Sequence, residues 1–151
     1  MLRELVRRLT PGRVPTSPIR QSGAMPYSIV NGRVVFLLVT SRRSGRWIFP
    51  KGSVSTGYTA WDSAAKEAVE EAGVIGQIDS SPVGTYQLSE KGMLVDVDLY
   101  PLLVEYQREE WQEMHQRLRH WALLTEVRRL VENPAIGRIA TKLERQLLAR
   151  P

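Results

Sequence analysis

The sequence predicts an α/β fold in which a mixed β-sheet is sandwiched between helices. Three observations support this. Apolar, β-branched runs flank one helical segment in the middle of the chain, that segment carries small apolar residues on one side, and two further helical patterns close the chain. At 151 residues the chain is of single-domain size and long enough to bury a core.

Taken in order, residues 1–9 place Leu2, Leu5, Val6 and Leu9 at helical spacing among Arg3, Arg7 and Arg8, which predicts a short amphipathic helix. Pro11 ends it, and residues 11–18 read as a connector. Residues 1–18 are thus expected to be an N-terminal helix and connector, docked on the protein's own body or a second subunit, with 19–151 as the main domain. Residues 19–29 are short and mixed, whereas Arg33–Thr40 reads as a buried strand. A basic turn over 41–45 leads to an extended Trp47-Ile48-Phe49, broken by Pro50-Lys51-Gly52. Across 59–72, Ala64, Ala65, Ala68, Val69 and Ala72 fall on one side of a helix, with Asp62 near its start and Gly73 past its end. Strands are expected over 83–88 and 94–104, joined by a turn at Lys91-Gly92. A polar stretch over 107–116 precedes a short strand near Arg119–Leu123. Thr125 is the expected cap of a helix carrying Val127, Leu130 and Val131, and a last helix after Pro134 has Ile136, Ile139, Leu143 and Leu147 in register.

Composition narrows the function. Without cysteine there are no disulfides, zinc-cysteine sites or thiol nucleophiles, and a reducing cytoplasm is the expected location. No segment approaches the roughly 18 uninterrupted apolar residues of a membrane span, and the first nine residues lack the long apolar stretch and small-residue cleavage site of a secretory signal. The net charge of +5 fits an anionic partner: nucleic acid, a membrane surface or a small polyphosphate. There is no arginine-rich run, RNA-recognition aromatic pair or helix-turn-helix pattern, so nucleic acid is not the expected main partner.

Chemistry concentrates on the central helix. Glu67, Glu70 and Glu71 stand at i, i+3 and i+4, which puts their side chains on one face, distinct from the alanine face. Like charges at such spacings repel by about 0.2–0.5 kcal/mol per pair, a conflict that a divalent cation would relieve. Carboxylate oxygens suit Mg²⁺, which keeps several waters and completes its octahedron with substrate phosphates. Such a site can clamp a pyrophosphate and activate water. For three glutamates taken alone, a merely solvated face is the alternative.

The wider run from Gly52 to Val74 resembles the Nudix box, G-x5-E-x7-R-E-U-x-E-E-x-G-U with U aliphatic. Seven of its nine specified positions match, namely Gly52, Glu67, Ala68, Glu70, Glu71, Gly73 and Val74. The resemblance implies a Nudix-type α/β/α sandwich with a metal-binding loop–helix–loop and Mg²⁺ as cofactor, Mn²⁺ being a substitute. Carried over position by position, it implies Glu70 and Glu71 as principal metal ligands, the Gly52 carbonyl as a further ligand and Glu67 as ligand or base, with Glu67 and Glu70 the catalytic acids. Tyr58 and Lys66 depart from the box, replacing a glutamate and an arginine that pair in the family. A hydrogen bond between the two, the Lys66 ammonium donating to the Tyr58 hydroxyl oxygen, is the expected partial substitute.

Flanking segments at 38–42, 46–52 and Arg119-His120-Trp121 extend the similarity to the diphosphoinositol polyphosphate and diadenosine polyphosphate hydrolase branch. By that similarity Ser41, Arg42 and Lys51 are expected phosphate contacts, followed by Arg20 and Lys91. Trp47 and Trp121 are candidates for base stacking or for core. Asp96 and Asp98 share one face of a strand and are candidates for an extra metal ligand or base. His115 and His120 have no acidic partner nearby in sequence, so no histidine-metal site is expected. The expected function is Mg²⁺-dependent cleavage of a pyrophosphate bond in a nucleoside or inositol polyphosphate, by a monomer or homodimer. The alternatives are a non-catalytic Nudix-fold module binding a phosphorylated ligand and an enzyme acting on RNA 5′ ends.

Overall fold

The computed structural model describes residues 19–150. The expected N-terminal helix and connector lie outside them. In chain order the strands are β1 (Ile19–Val30), β2 (Arg33–Thr40), β3 (Trp47–Ile48), β4 (Lys51–Ser53), β5 (Val74–Ile78), β6 (Gly84–Glu90), β7 (Met93–Gln107) and β8 (Arg119–Leu123). The helices are α1 (Ala60–Glu67), continued by a π-turn over Ala68–Ala72, α2 (Leu124–Leu130) and α3 (Pro134–Leu148).

All eight strands join one mixed sheet whose spine is a parallel pair, β1 and β7, in register from Ile19 opposite Val95 to Tyr27 opposite Leu103. Each spine strand divides its outer edge between two antiparallel partners. β1 takes β4 along Gln21 to Gly23 and β2 along Tyr27 to Val30, while β7 takes β6 and then β5. β2 also carries β3 and β8. The change of partner along β1 matters for function, because the chain after β2 doubles back through β3 and comes to β1 with Gly52 opposite Ser22.

Helices cover both faces. Ala64, Ala68 and Ala72 pack α1 and its π-turn on Ala24, Leu37, Val39, Tyr100 and Leu102. On the other face Val127, Ile136, Ile139, Leu143 and Leu147 from α2 and α3 close over Met25, Phe36, Leu38, Val97 and Leu99. Alanines bring the first helix close to the sheet, whereas the second layer is filled by branched side chains interdigitating at core density. Thr59 caps α1 by accepting from Asp62 N, and Asn133 caps α3 by accepting from Ala135 N with Pro134 in the first turn. Among the described residues no helix is long and apolar enough to cross a membrane.

Three expectations change. Residues 19–29 belong to a twelve-residue strand; Gly23 to Pro26 are buried on both faces, so no period-2 alternation marked them. β5, which directly follows the acidic turn, had no separate signal. Thr125 does not cap α2; Leu123 holds the cap position and no side chain bonds there. The two-layer packing predicts that Leu143→Ala, at a position 1% exposed, costs about 2–5 kcal/mol; urea unfolding followed by circular dichroism checks it.

Candidate functional site

Past Glu67 the central helix changes geometry. Ala68–Ala72 forms a π-turn, closed by Gly73 at φ 68°. A π-turn bonds i to i+5 and so spends an extra residue on the revolution. Positions 67, 70 and 71 therefore do not share one face as an ideal α-helix would arrange them. Glu71, 2% exposed, faces the same cleft as the half-buried Glu67, while the half-buried Glu70 does not line it. Ala65 and Val69 sit at the flank of the alanine side rather than inside it.

The three acids meet different neighbours. Glu67 lies so close to Gly52 that a side chain there would strike its carboxylate, which gives the loop glycine a steric reason. Glu71 is within hydrogen-bonding reach of Glu67. Arg117 Nη2 stands 3.4 Å from Glu71 Oε1, well beyond the roughly 2.7–2.9 Å of a charge-assisted hydrogen bond. That oxygen is buried without a hydrogen-bond partner among the described residues. Burial and the Glu67 contact push the Glu71 carboxyl up to about 9, with Arg117 opposing them. Glu70 is held differently: Lys66 Nζ lies 3.0 Å from its Oε1 and 3.3 Å from its Oε2, and this contact raises the lysine. The expected Tyr58–Lys66 hydrogen bond gives way to this helical i, i+4 pair, and Tyr58 is 48% exposed.

Among the described residues no group of three carboxylate, imidazole or thiolate side chains converges as a ready-made metal shell. Two carboxylates do converge, one with an orphaned buried oxygen. That fits Mg²⁺, which binds through one or two protein carboxylates and draws its other ligands from water and phosphate.

A cleft of about 790 Å³ opens over Glu67 and Glu71. Ser41, Arg42, Lys51, Gly52 and Lys91 all line it. Lys51 Nζ is held by Gln21 Oε1 at 3.0 Å and Glu90 Oε2 at 3.2 Å. Arg20 does not line the cleft. Its guanidinium is 2.7 Å from Asp98 and 3.4 Å from Asp96, on a sheet face where Thr85 and Gln87 also donate to those acids. The same network removes Asp96 and Asp98 as candidates for an extra ligand or base.

Glu113 supplies an acid in the cleft from outside the box, and Arg117 fixes it. The Arg117 side chain is 8% exposed, with Nε 2.9 Å from Glu113 Oε1 and Nη1 donating to Thr40 O at 2.9 Å. Glu113 lies within the polar stretch of 107–116 and Arg117 directly after it. Their i, i+4 spacing was the available signal. Trp47 lines the cleft, whereas Trp121 packs on the α1 side and donates to Gln107. His120 does have an acidic partner, Glu126 at 2.8 Å, which the start of α2 brings back to β8.

The proton on Glu71 links stability to pH and metal. A carboxyl raised in the folded state contributes stability that is complete below the ordinary glutamate range and is lost as pH rises through about 9. With a chelator present, the melting temperature is expected to fall between about pH 5 and pH 9. Added Mg²⁺ should restore it at the alkaline end and have little effect at the acid end, because the ligand form is the carboxylate. Differential scanning calorimetry across pH checks this.

Residues 27–135 match the NUDIX domain family. Nudix hydrolase 21, chloroplastic, of Arabidopsis thaliana is 34% identical over 128 residues, covering 80% of this chain and 64% of its own length. Nudix hydrolase 4 of the same plant is 33% identical over 121 residues, covering 74% and 58%. The chain thus spans less than two thirds of these relatives. A Caenorhabditis elegans Ap4A hydrolase structure superposes with a TM-score of 0.67 over 87% of this chain and 99% of that one, at 24% identity, and shares the fold. A domain match across most of the chain, on the sheet and acidic turn just described, makes the assignment: the chain belongs to the Nudix family.

Proposed function

We propose that residues 19–151 form a Mg²⁺-dependent hydrolase that cleaves a pyrophosphate bond in a nucleoside polyphosphate of the diadenosine polyphosphate type. The observation that carries this reading is the buried, unpartnered Oε1 of Glu71 beside Glu67 at the floor of a cationic cleft. A bound Mg²⁺, or Mn²⁺ in its place, would supply Lewis acidity toward the phosphate and a water nucleophile at neutral pH. Glu67 and Glu71 would hold it, with the Gly52 carbonyl beside them and Glu70 divided between the cation and Lys66. Arg42, Lys51 and Lys91, with Ser41, would bind phosphate oxygens that do not react and so orient the chain of phosphates. Glu113 is the carboxylate available to accept a proton from water.

Charge balance favours a nucleotide over an inositol polyphosphate. Six cationic side chains in the cleft face five carboxylates, and Arg46, Lys51 and Arg117 already pair with Glu132, Glu90 and Glu113. A densely phosphorylated ring needs a larger positive excess, while a short polyphosphate with an aromatic base can use Trp47, Leu88 and Ile136 along the same wall. The ammonium on Glu70 is the one feature favouring a non-catalytic ligand-binding module. We assign the enzyme to the cytoplasm; relatives named chloroplastic and mitochondrial make an organelle the alternative, which imaging of a tagged chain decides.

Incubation with Mg²⁺ and a panel of diadenosine polyphosphates, a diphosphoinositol and triphosphorylated RNA should release nucleotide from the first group fastest. Turnover of none contradicts the reading, and tight binding without turnover favours the module. Glu71→Gln and Glu67→Gln should each lower kcat by roughly 100-fold or more, the scale seen when a charge-stabilising group is removed. Lys66→Met frees Glu70 and should lower the Mg²⁺ concentration for half-maximal rate by about two- to fivefold, as befits an exposed pair; an unchanged requirement would mean that Glu70 does not meet the cation.

A further inference from the structure

A helix leaves its last four carbonyls without intrahelical partners. Here segment 108–119 gives a donor to four successive carbonyls at the end of the acidic turn. Glu113 N donates to Glu70 O at 3.1 Å, Trp111 Nε1 to Glu71 O at 2.9 Å, Arg119 Nη1 to Ala72 O at 2.9 Å, and Arg108 N to Gly73 O at 2.8 Å. Two of these donors are side chains, and they hold each other. The Arg119 guanidinium lies 3.9 Å from the centroid of the Trp111 ring, and its second nitrogen donates to Arg108 O at 2.7 Å. Gly73 permits the contact: a Cβ there would stand 2.7 Å from Trp111 Cβ and 2.9 Å from Arg119 Nη1. The cation also sits at the negative end of the helix dipole. Neither Trp111 nor Arg119 lines the cleft, yet the segment they anchor delivers Glu113 and Arg117 into it.

We propose that Trp111 and Arg119 are positioning residues for the metal-binding acids: by tying down the Glu71 and Ala72 carbonyls they hold the π-turn that directs the Glu71 carboxyl into the cleft. The proposal rests on the metal-dependent reading above. It makes order in segment 108–119 and cation affinity two sides of one coupling, which is reciprocal. A clamp serving stability alone would leave the affinity of the folded chain unchanged.

The test uses the full chain and Mn²⁺, with free metal read by electron paramagnetic resonance. Trp111→Phe keeps an aromatic ring under Arg119 and deletes the N–H to Glu71 O. Its Mn²⁺ affinity is expected to fall by roughly tenfold, the lower end for residues that orient metal ligands, with a native circular dichroism spectrum. Arg119→Lys keeps the charge but lacks the planar fork whose two nitrogens reach Ala72 O and Arg108 O, and should weaken binding likewise. In the wild-type chain, Mg²⁺ should slow amide hydrogen exchange across 108–119. Wild-type affinity in a folded Trp111→Phe overturns the clamp while leaving the metal site standing, whereas no Mn²⁺ binding by the wild type removes both. Should the variants fail to fold, wild-type exchange decides, and exchange unaltered by Mg²⁺ overturns the proposal.

Discussion

Burying a carboxylate without a full partner costs several kcal/mol unless it keeps a proton or gains a cation, and the site is organised around one such group. Glu71 is 2% exposed, and the nearest guanidinium is already committed to Glu113 and to the Thr40 carbonyl. The chain therefore holds a carboxyl whose ionised form is unstable until something positive arrives. Alanines under the helix, glycines at both ends of the box and a π-turn between them are the local choices that bring this group to the cleft floor.

The departures from the family's box take on a specific meaning in that setting. Tyr58, half exposed, makes no hydrogen bond to Lys66 among the described residues, and Lys66 engages Glu70 on its own helix instead. Two of the neighbouring acids are thus paired, Glu70 with the Lys66 ammonium and Glu113 with the Arg117 guanidinium, which stands 3.4 Å from Glu71. Bracing of the metal site has moved to the other end of the helix, where the turn's carbonyls meet segment 108–119.

Much of this was legible in the sequence where a signal is local. β2 and β8 fall at the expected residues, α3 buries Ile136, Ile139, Leu143 and Leu147 in register, and Lys91-Gly92 forms the expected turn with both residues at positive φ. What pairing decides was not legible. β1 shows no alternation because helix layers bury both its faces. Arg20 resembles a phosphate contact until the parallel register sets it against Asp96 and Asp98. Glu113 sits in a stretch whose only distinction is polarity and Arg117 directly after it, and their role appears once the loop folds back on the acidic turn. The one-face reading of Glu67, Glu70 and Glu71 assumed a regular α-helix, and nothing in composition announces a π-turn.

The most direct measurement counts protons released when the cation binds. Titration calorimetry with Mn²⁺ near neutral pH, in buffers of differing ionisation enthalpy, should show about one proton leaving per cation bound, with that release abolished in Glu71→Gln. Cation binding with no proton release in the wild-type chain would contradict the account of Glu71 as the buried acid on which the site is built.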